Sequence, residues 1–154
     1  MSLEEFKIID ASTLPVGKLI TMIARAHTSY LNHNLADLNI NATQLHLLFE
    51  ISHQNEINQE KISERCNINK GAVARSIKKL EEKGLIKRQI DDANRRQNMI
   101  SLTGKGDETL RESINLLKNW EEEVFNQNII EKELLQKALK DIAIKTMELN
   151  LKGD

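Results

Sequence analysis

The sequence predicts a mainly α-helical protein with a small β-wing, on three observations. Apolar residues recur at three- and four-residue steps over most of the chain. Between Asn58 and Thr103, two short helical segments are separated by a break at Asn67-Ile68, the succession of a helix-turn-helix. Two β-prone runs, Leu85-Ile86 and Met99-Ile100, then flank a polar basic loop, DDANRRQ, and complete a winged helix-turn-helix. With aromatics at only 3 %, Leu and Ile must fill the core.

The first helix is expected from about Ser12 to Asp37, where Val16, Leu19, Ile20, Ile23, His27, Tyr30 and Leu31 form an amphipathic stripe. Pro15 falls near its start, where a missing amide hydrogen costs least. Asn41 is the expected N-cap of a second helix, with Gln44 completing a capping box and Leu45, Leu48, Phe49 and Ile51 on its apolar side. Asn58 caps a third helix, whose inward residues are Ile62 and Cys66. Asn69 caps a fourth, in which Val73, Ile77 and Leu80 face the core while Lys70, Ala74, Arg75 and Lys78 lie on other sides. Gly84 ends that helix, since glycine tolerates the left-handed conformation needed there.

Thr103 caps a long fifth helix to roughly Asn126, with Leu110, Ile114, Leu117, Trp120 and Val124 on one stripe. At about 1.5 Å per residue it would be on the order of 35 Å long. A last helix, from about Glu131 to Leu149, carries Leu135, Ala138, Leu139 and Ile142. The chain thus divides into an N-terminal helix (1–40), a winged helix-turn-helix module (41–103) and two C-terminal helices (104–154). The flanking helices carry apolar stripes that so small a central module cannot cover. They need each other and a second copy of the chain, so a homodimer built through flanking dimerisation helices is expected.

Composition narrows the function. At 154 residues, 40 % apolar and 29 % charged, the chain is one domain's worth of a soluble globular protein. No apolar run approaches a membrane span, and the Lys- and Asp-punctuated N-terminus does not read as a signal peptide. A single cysteine excludes an intrachain disulfide framework and fits a reducing cytoplasm. The net charge of −1 hides an asymmetry: Lys61 to Lys105 holds 12 Lys and Arg against 5 Asp and Glu, whereas the remainder holds 10 against 18. That polarity is the footprint of a module facing double-stranded DNA on an acidic frame.

These residues resemble the MarR family of transcription regulators. The resemblance rests on Ile62-Ser-Glu-Arg-Cys-Asn-Ile-Asn69, Val73-Ala-Arg75, Leu80-Glu-Glu-Lys-Gly84-Leu-Ile-Lys-Arg88, Asn94-Arg95-Arg96 and Leu102-Thr103-Gly104-Lys-Gly106, and it covers nearly the whole chain. It implies a ligand-responsive repressor binding a pseudo-palindromic operator as a homodimer, with a small aromatic effector that shifts the spacing of the two DNA modules. It assigns the recognition helix to Asn69 through Lys83, so Asn69, Lys70, Ala74, Arg75 and Lys78 would meet bases and phosphates. It assigns the wing to Arg95 and Arg96, one of which would enter the minor groove. Arginine suits both tasks, as a planar fork for guanine edges and a cation for narrow A·T-rich grooves.

Two positions depart from the family pattern. Asn94 stands where the family often has Asp, which removes a charge-assisted hold on a neighbouring arginine. Gly71 lies in the first turn of the recognition helix, where it either permits close backbone approach to DNA or frays the helix start. Lys87 and Arg88 begin the wing hairpin and suit phosphate contact or plain solvation equally; Arg88 is included in the DNA-facing set. Lys79, Glu81 and Glu82 read as solubilising surface.

Other constellations are weaker. Cys66 occupies an inward helical position and reads as a small core residue rather than a redox sensor. His27, His33, His46 and His53 form no His-x-x-x-His pair, so no metal site is expected. Gly104-Lys-Gly106 lacks the Lys-Ser/Thr signature of a phosphate loop and reads as a turn from strand into helix. No nucleophile–base arrangement, paired metal carboxylates or cofactor fingerprint is present, so neither catalysis nor a cofactor is expected. The alternative of another class is a winged-helix protein-interaction module that does not bind DNA.

Overall fold

A computed structural model of the chain describes residues 1–90, 93, 98–126 and 130–151. Seven helices and three strands follow in the order α1 (Leu3–Ile8), α2 (Val16–Asn34), α3 (Ala42–Gln54), β1 (Ile57–Asn58), α4 (Gln59–Cys66), α5 (Lys70–Glu82), β2 (Ile86–Ile90), β3 (Asn98–Leu102), α6 (Gly104–Phe125) and α7 (Lys132–Leu151). They form two compact units, residues 1–116 and 117–154, with the boundary falling inside α6.

The local signals for helix starts are realised as side-chain bonds. Asn41 Oδ1 accepts from the Gln44 amide at 2.9 Å while Gln44 Oε1 accepts from the Asn41 amide at 3.2 Å, a complete capping box. Asn58 Oδ1 caps α4 through the Lys61 amide at 2.8 Å, and Thr103 Oγ1 caps α6 through the Gly106 amide at 3.0 Å. Each bond satisfies an amide that the helix itself leaves without a partner. Gly84 follows α5 with φ +71°, and Asn67 ends α4 with φ +50°. Glycine and asparagine carry the least steric penalty in that region.

Four departures from the sequence reading stand out. The first predicted helix is interrupted: a 3-10 turn spans Ala11–Thr13, Pro15 stands in extended backbone as the N-cap, and the α-helix begins only at Val16. Proline's missing amide and the extended preference it imposes on Leu14 explain the break. A further 3-10 turn at Ala36–Leu38 replaces the expected helix end. Ahead of all this, α1 forms on a Ser2–Glu5 capping box that the sequence reading passed over. Strand β1 is also additional, two residues that pair Ile57 with Ile100 and Asn58 with Met99.

The core of the first unit lies where α3, α4, α5 and the sheet meet. The sheet order is β1-β3-β2, antiparallel throughout, with Ile86 opposite Leu102 and Arg88 opposite Ile100. Leu48, Ile51, Ile62, Val73, Ile77, Leu80 and Ile100 are fully buried. Phe49 is not: the structure leaves it 40 % exposed, its ring 4.4 Å from that of His53. Helix α3 is packed from several sides, so Gln44, Leu45, Leu47, Leu48 and Ile51 are buried, and Phe49 falls on the remaining outer strip.

Cys66 is buried on α4, as its position predicts. Burial, with Glu50 nearby, pushes its thiol above the ordinary cysteine range, against a smaller opposing pull from Arg65. The thiolate is the reactive form, and its population at neutral pH falls as that value rises. Iodoacetamide labelling of the native protein at pH 7.5 is expected to run on the order of tenfold or more slower than after denaturation. Equal rates would place the thiol at the surface.

The turn from β3 into α6 works differently from the sequence reading. Neither Gly104 nor Gly106 takes a positive φ, so glycine's conformational freedom is not what the turn uses. Gly106 is instead a close-approach residue. A Cβ on it would stand 1.9 Å from the backbone oxygen of Leu85, whereas one on Gly104 would meet nothing within 4 Å.

In the second unit, Trp120 and Phe125 on α6 meet edge to face with centroids 6.2 Å apart, and Lys132 is ion-paired with Glu121. Helix α7 buries none of its residues. Leu134, Leu139, Ile142, Ile144, Met147, Leu149 and Leu151 are all exposed along it.

Candidate nucleic-acid interface

The surface begins at the tight turn between α4 and α5. Ser63, itself buried, donates to the Ile68 carbonyl at 2.7 Å, and the Ile68 amide returns to the Ser63 carbonyl at 3.3 Å. These bonds fix the angle at which α5 leaves α4. The far end of α5 is anchored by Lys83, whose ammonium donates to the Asn39 carbonyl and, at 3.3 Å, to Gln44 Oε1. Burial there, with Lys79 nearby, pushes the Lys83 ammonium below the ordinary lysine range. With both ends held and Val73, Ile77 and Leu80 in the core, α5 presents Lys70, Arg75 and Lys78 to solvent and leaves Ala74 half-buried.

Asn69 is the N-cap: its Oδ1 accepts from the amides of Gly71 at 2.8 Å and Ala72 at 3.3 Å. That use has a consequence for recognition. Two-point readout of adenine needs both the oxygen and the nitrogen of an asparagine amide. With Oδ1 engaged by its own helix, Asn69 has Nδ2 to offer, a donor suited to acceptor edges or phosphate oxygens. Lys70 reaches Glu60 on α4 at 3.1 Å, and Lys78 lies 4.0 Å from Glu82 one turn on. Arg75 makes no ion pair among the described residues. Its Nη1 would be 3.5 Å from a Cβ on Gly71, so the side chain runs back along the helix toward its N-terminus, over the glycine. Gly71 therefore stands inside a capped first turn, with Arg75 lying across the space a side chain would fill.

Arg88 is on β2, one turn past the end of α5, and its Nε donates to Glu81 Oε2 at 2.9 Å. The Glu81 that reads as plain surface in the sequence is thus the partner of Arg88. Lys87, its neighbour, is exposed. The hairpin tip is where Asn94, Arg95 and Arg96 fall, and all three lie outside the described residues. Among the described residues, no group of three or more His, Cys, Asp or Glu is placed to hold a metal ion.

A model of the MarR family matches residues 40–97, the stretch from the start of α3 into the hairpin. A crystal structure of MarR superposes with a TM-score of 0.80 at 26 % identity, covering 94 % of this chain and 98 % of that one. The chain is similar to the MarR family in its central module and has the MarR fold over nearly its whole length. The fold of the family accordingly extends over the flanking helices as well as the matched segment. Among relatives, the uncharacterized HTH-type transcriptional regulator YybA of Bacillus subtilis is 37 % identical over 87 residues, 56 % of this chain and 58 % of that protein. The HTH-type transcriptional regulator SarZ of Staphylococcus epidermidis is 28 % identical over 120 residues, 78 % of this chain and 76 % of that protein. The chain spans about half the length of the first Bacillus relatives it matches.

The structure gathers Lys70, Arg75 and Lys78 on α5, with Asn69 at its cap, and sets Arg88 on the strand that follows. Sequence reasoning missed the carboxylates that pair with these cations. Glu82 stood at a helical i, i+4 spacing from Lys78, a readable signal. Glu60 and Glu81 reach cations on other elements, for which the sequence carries no local sign.

Proposed function

We propose that this chain is a sequence-specific DNA-binding transcription regulator of the MarR type, acting by binding rather than catalysis and working in the cytoplasm as a homodimer. The observation that carries the reading is the solvent face of α5, where Asn69, Lys70, Arg75 and Lys78 stand out from a helix held at both ends. That helix lies within a segment rich in Lys and Arg. A capped, basic, exposed helix following a tight turn is suited to the major groove, with its N-terminal residues toward the base edges. Arg88 and the hairpin arginines Arg95 and Arg96 would extend the contact to phosphates and the minor groove.

The homodimer is supported by α7, a 20-residue helix with no buried residue and a series of exposed large apolar side chains. Exposed apolar surface on that scale marks an association site. In this reading residues 1–40 and 104–154 serve as dimerisation arms for the module at 41–103. No helix among the described residues is long and apolar enough to cross a membrane. The likeness to the MarR family supports repression relieved by a small aromatic effector. Such a ligand must bind the DNA-competent and incompetent dimers with different affinity, since equal affinity shifts nothing.

The deciding experiment is fluorescence-anisotropy titration against a pool of short duplexes at two salt concentrations, with the bound sequences recovered. The expected result is an inverted repeat whose half-sites lie about one helical turn apart, bound with strongly salt-dependent affinity. No binding at low salt, before and after removal of any co-purified small molecule, would overturn the reading in favour of a protein-interaction module.

A further inference from the structure

Among the described residues, four cations carry the proposed DNA contacts, and three of them stand beside a carboxylate. Lys70 Nζ is 3.1 Å from Glu60 Oε1, Arg88 Nε is 2.9 Å from Glu81 Oε2, and Lys78 Nζ is 4.0 Å from Glu82 Oε1. Arg75 is the exception, making no such pair. Carboxylate and phosphate compete for the same donors. Exposed ion pairs are weak, so an arriving phosphate displaces the carboxylate readily. The displaced group nonetheless stays a few ångströms from the phosphate and repels it through the intervening solvent.

Glu60 and Glu81 differ from Glu82 in how they arrive. Glu82 sits one turn from Lys78 on the same helix, the ordinary decoration of an exposed helix, at the longest of the three distances. Glu60 comes from α4 to a lysine on α5, and Glu81 comes from α5 to an arginine on β2. The tertiary fold delivers both counter-charges to the interface.

We propose that Glu60 and Glu81 set how strongly this protein holds DNA of any sequence. They restrain the phosphate contacts of Lys70 and Arg88 and leave Arg75, which has no ion pair among the described residues, unrestrained. A regulator facing a vast excess of non-operator DNA gains from this, because what matters is its operator affinity against that background. The inference rests on the DNA-binding reading above.

The test uses the full chain, a non-operator duplex and the recovered operator, titrated by anisotropy at several salt concentrations. Glu60→Gln and Glu81→Gln remove a charge while keeping shape and an acceptor oxygen. Each is expected to tighten non-operator binding by roughly three- to tenfold near 0.1 M salt. Each should also steepen the dependence of log affinity on log salt by about 0.9. In a Lys70→Ala background the effect of Glu60→Gln should largely vanish. Glu133→Gln on α7 makes the same change in net charge at a residue with no ion pair among the described residues, and should change little. Unchanged or weaker binding by the two variants, or an equal gain from Glu133→Gln, would overturn the inference while leaving DNA binding intact. Absence of wild-type binding at the lowest salt would instead remove the DNA reading, and this inference with it.

Discussion

Replacing Gly106 with alanine is expected to destabilise the winged module by about 3 kcal/mol or more, the upper range for forcing an atom into a packed interior. The new Cβ would lie 1.9 Å from the Leu85 carbonyl oxygen and 2.9 Å from its carbonyl carbon. The obstacle is backbone, which cannot rotate aside as a side chain does. Nor is that backbone free to shift. The Leu85 amide donates to the Leu80 carbonyl at 3.0 Å, and its carbonyl accepts from the Thr103 amide at 3.1 Å. Thr103 in turn donates its hydroxyl to the Gly84 carbonyl at 2.6 Å while capping α6. Moving Leu85 would therefore disturb the end of α5, the root of the β2–β3 hairpin and the start of α6 together. For a chain of this size the melting temperature should fall by on the order of 10 °C. Gly104→Ala is the control: with open space around that Cβ, its effect should stay within about 0.5 kcal/mol. Equal melting of the two variants would show that Gly106 is not a close-approach residue.

The second large effect concerns binding rather than stability. The triple replacement of Arg75, Arg95 and Arg96 by alanine is expected to weaken operator binding on the order of a thousandfold. That figure takes each charged contact as about 1–3 kcal/mol. The contributions should separate by kind. Arg75→Ala alone should relax discrimination at particular base pairs, because its guanidinium lies toward the N-terminal end of the recognition helix. Arg95→Ala and Arg96→Ala should weaken binding more evenly across sequences and flatten the salt dependence, as loss of backbone contact does. Arg75 is exposed and makes no ion pair among the described residues, so the Arg75→Ala variant should melt as the wild type does. Wild-type affinity in the triple variant would exclude this surface as the one that meets DNA.

Contacts between near neighbours along the chain are the part of this protein that residue type and spacing make legible. The caps at Asn41, Asn58, Asn69 and Thr103 are contacts across three residues, so residue type and spacing announce them. The inward faces of α4 and α5 follow from helical period alone, and Ile62, Cys66, Val73, Ile77 and Leu80 are buried as that period requires. The Ser2–Glu5 box and the break at Pro15 were legible by the same logic, though the apolar stripe beyond them drew the helix boundary too early. The exposed side of α5 was readable to the same depth, with Lys70, Arg75 and Lys78 in solvent as the helical period places them.

The tertiary structure decided whatever depends on residues remote in sequence. Phe49 is at the surface because helices on either side of α3 claim its other faces. Strand β1 exists because Ile57 finds Ile100 across the module. Gly106 is a close-approach residue because of a carbonyl on Leu85, and Glu60 and Glu81 pair with cations because other elements bring these within reach. Hydrogen-bond capping and helical periodicity act over a turn or two and leave a mark in local sequence. Close backbone approach and cross-element ion pairing depend on how whole elements dock, and one chain's sequence carries no local record of that.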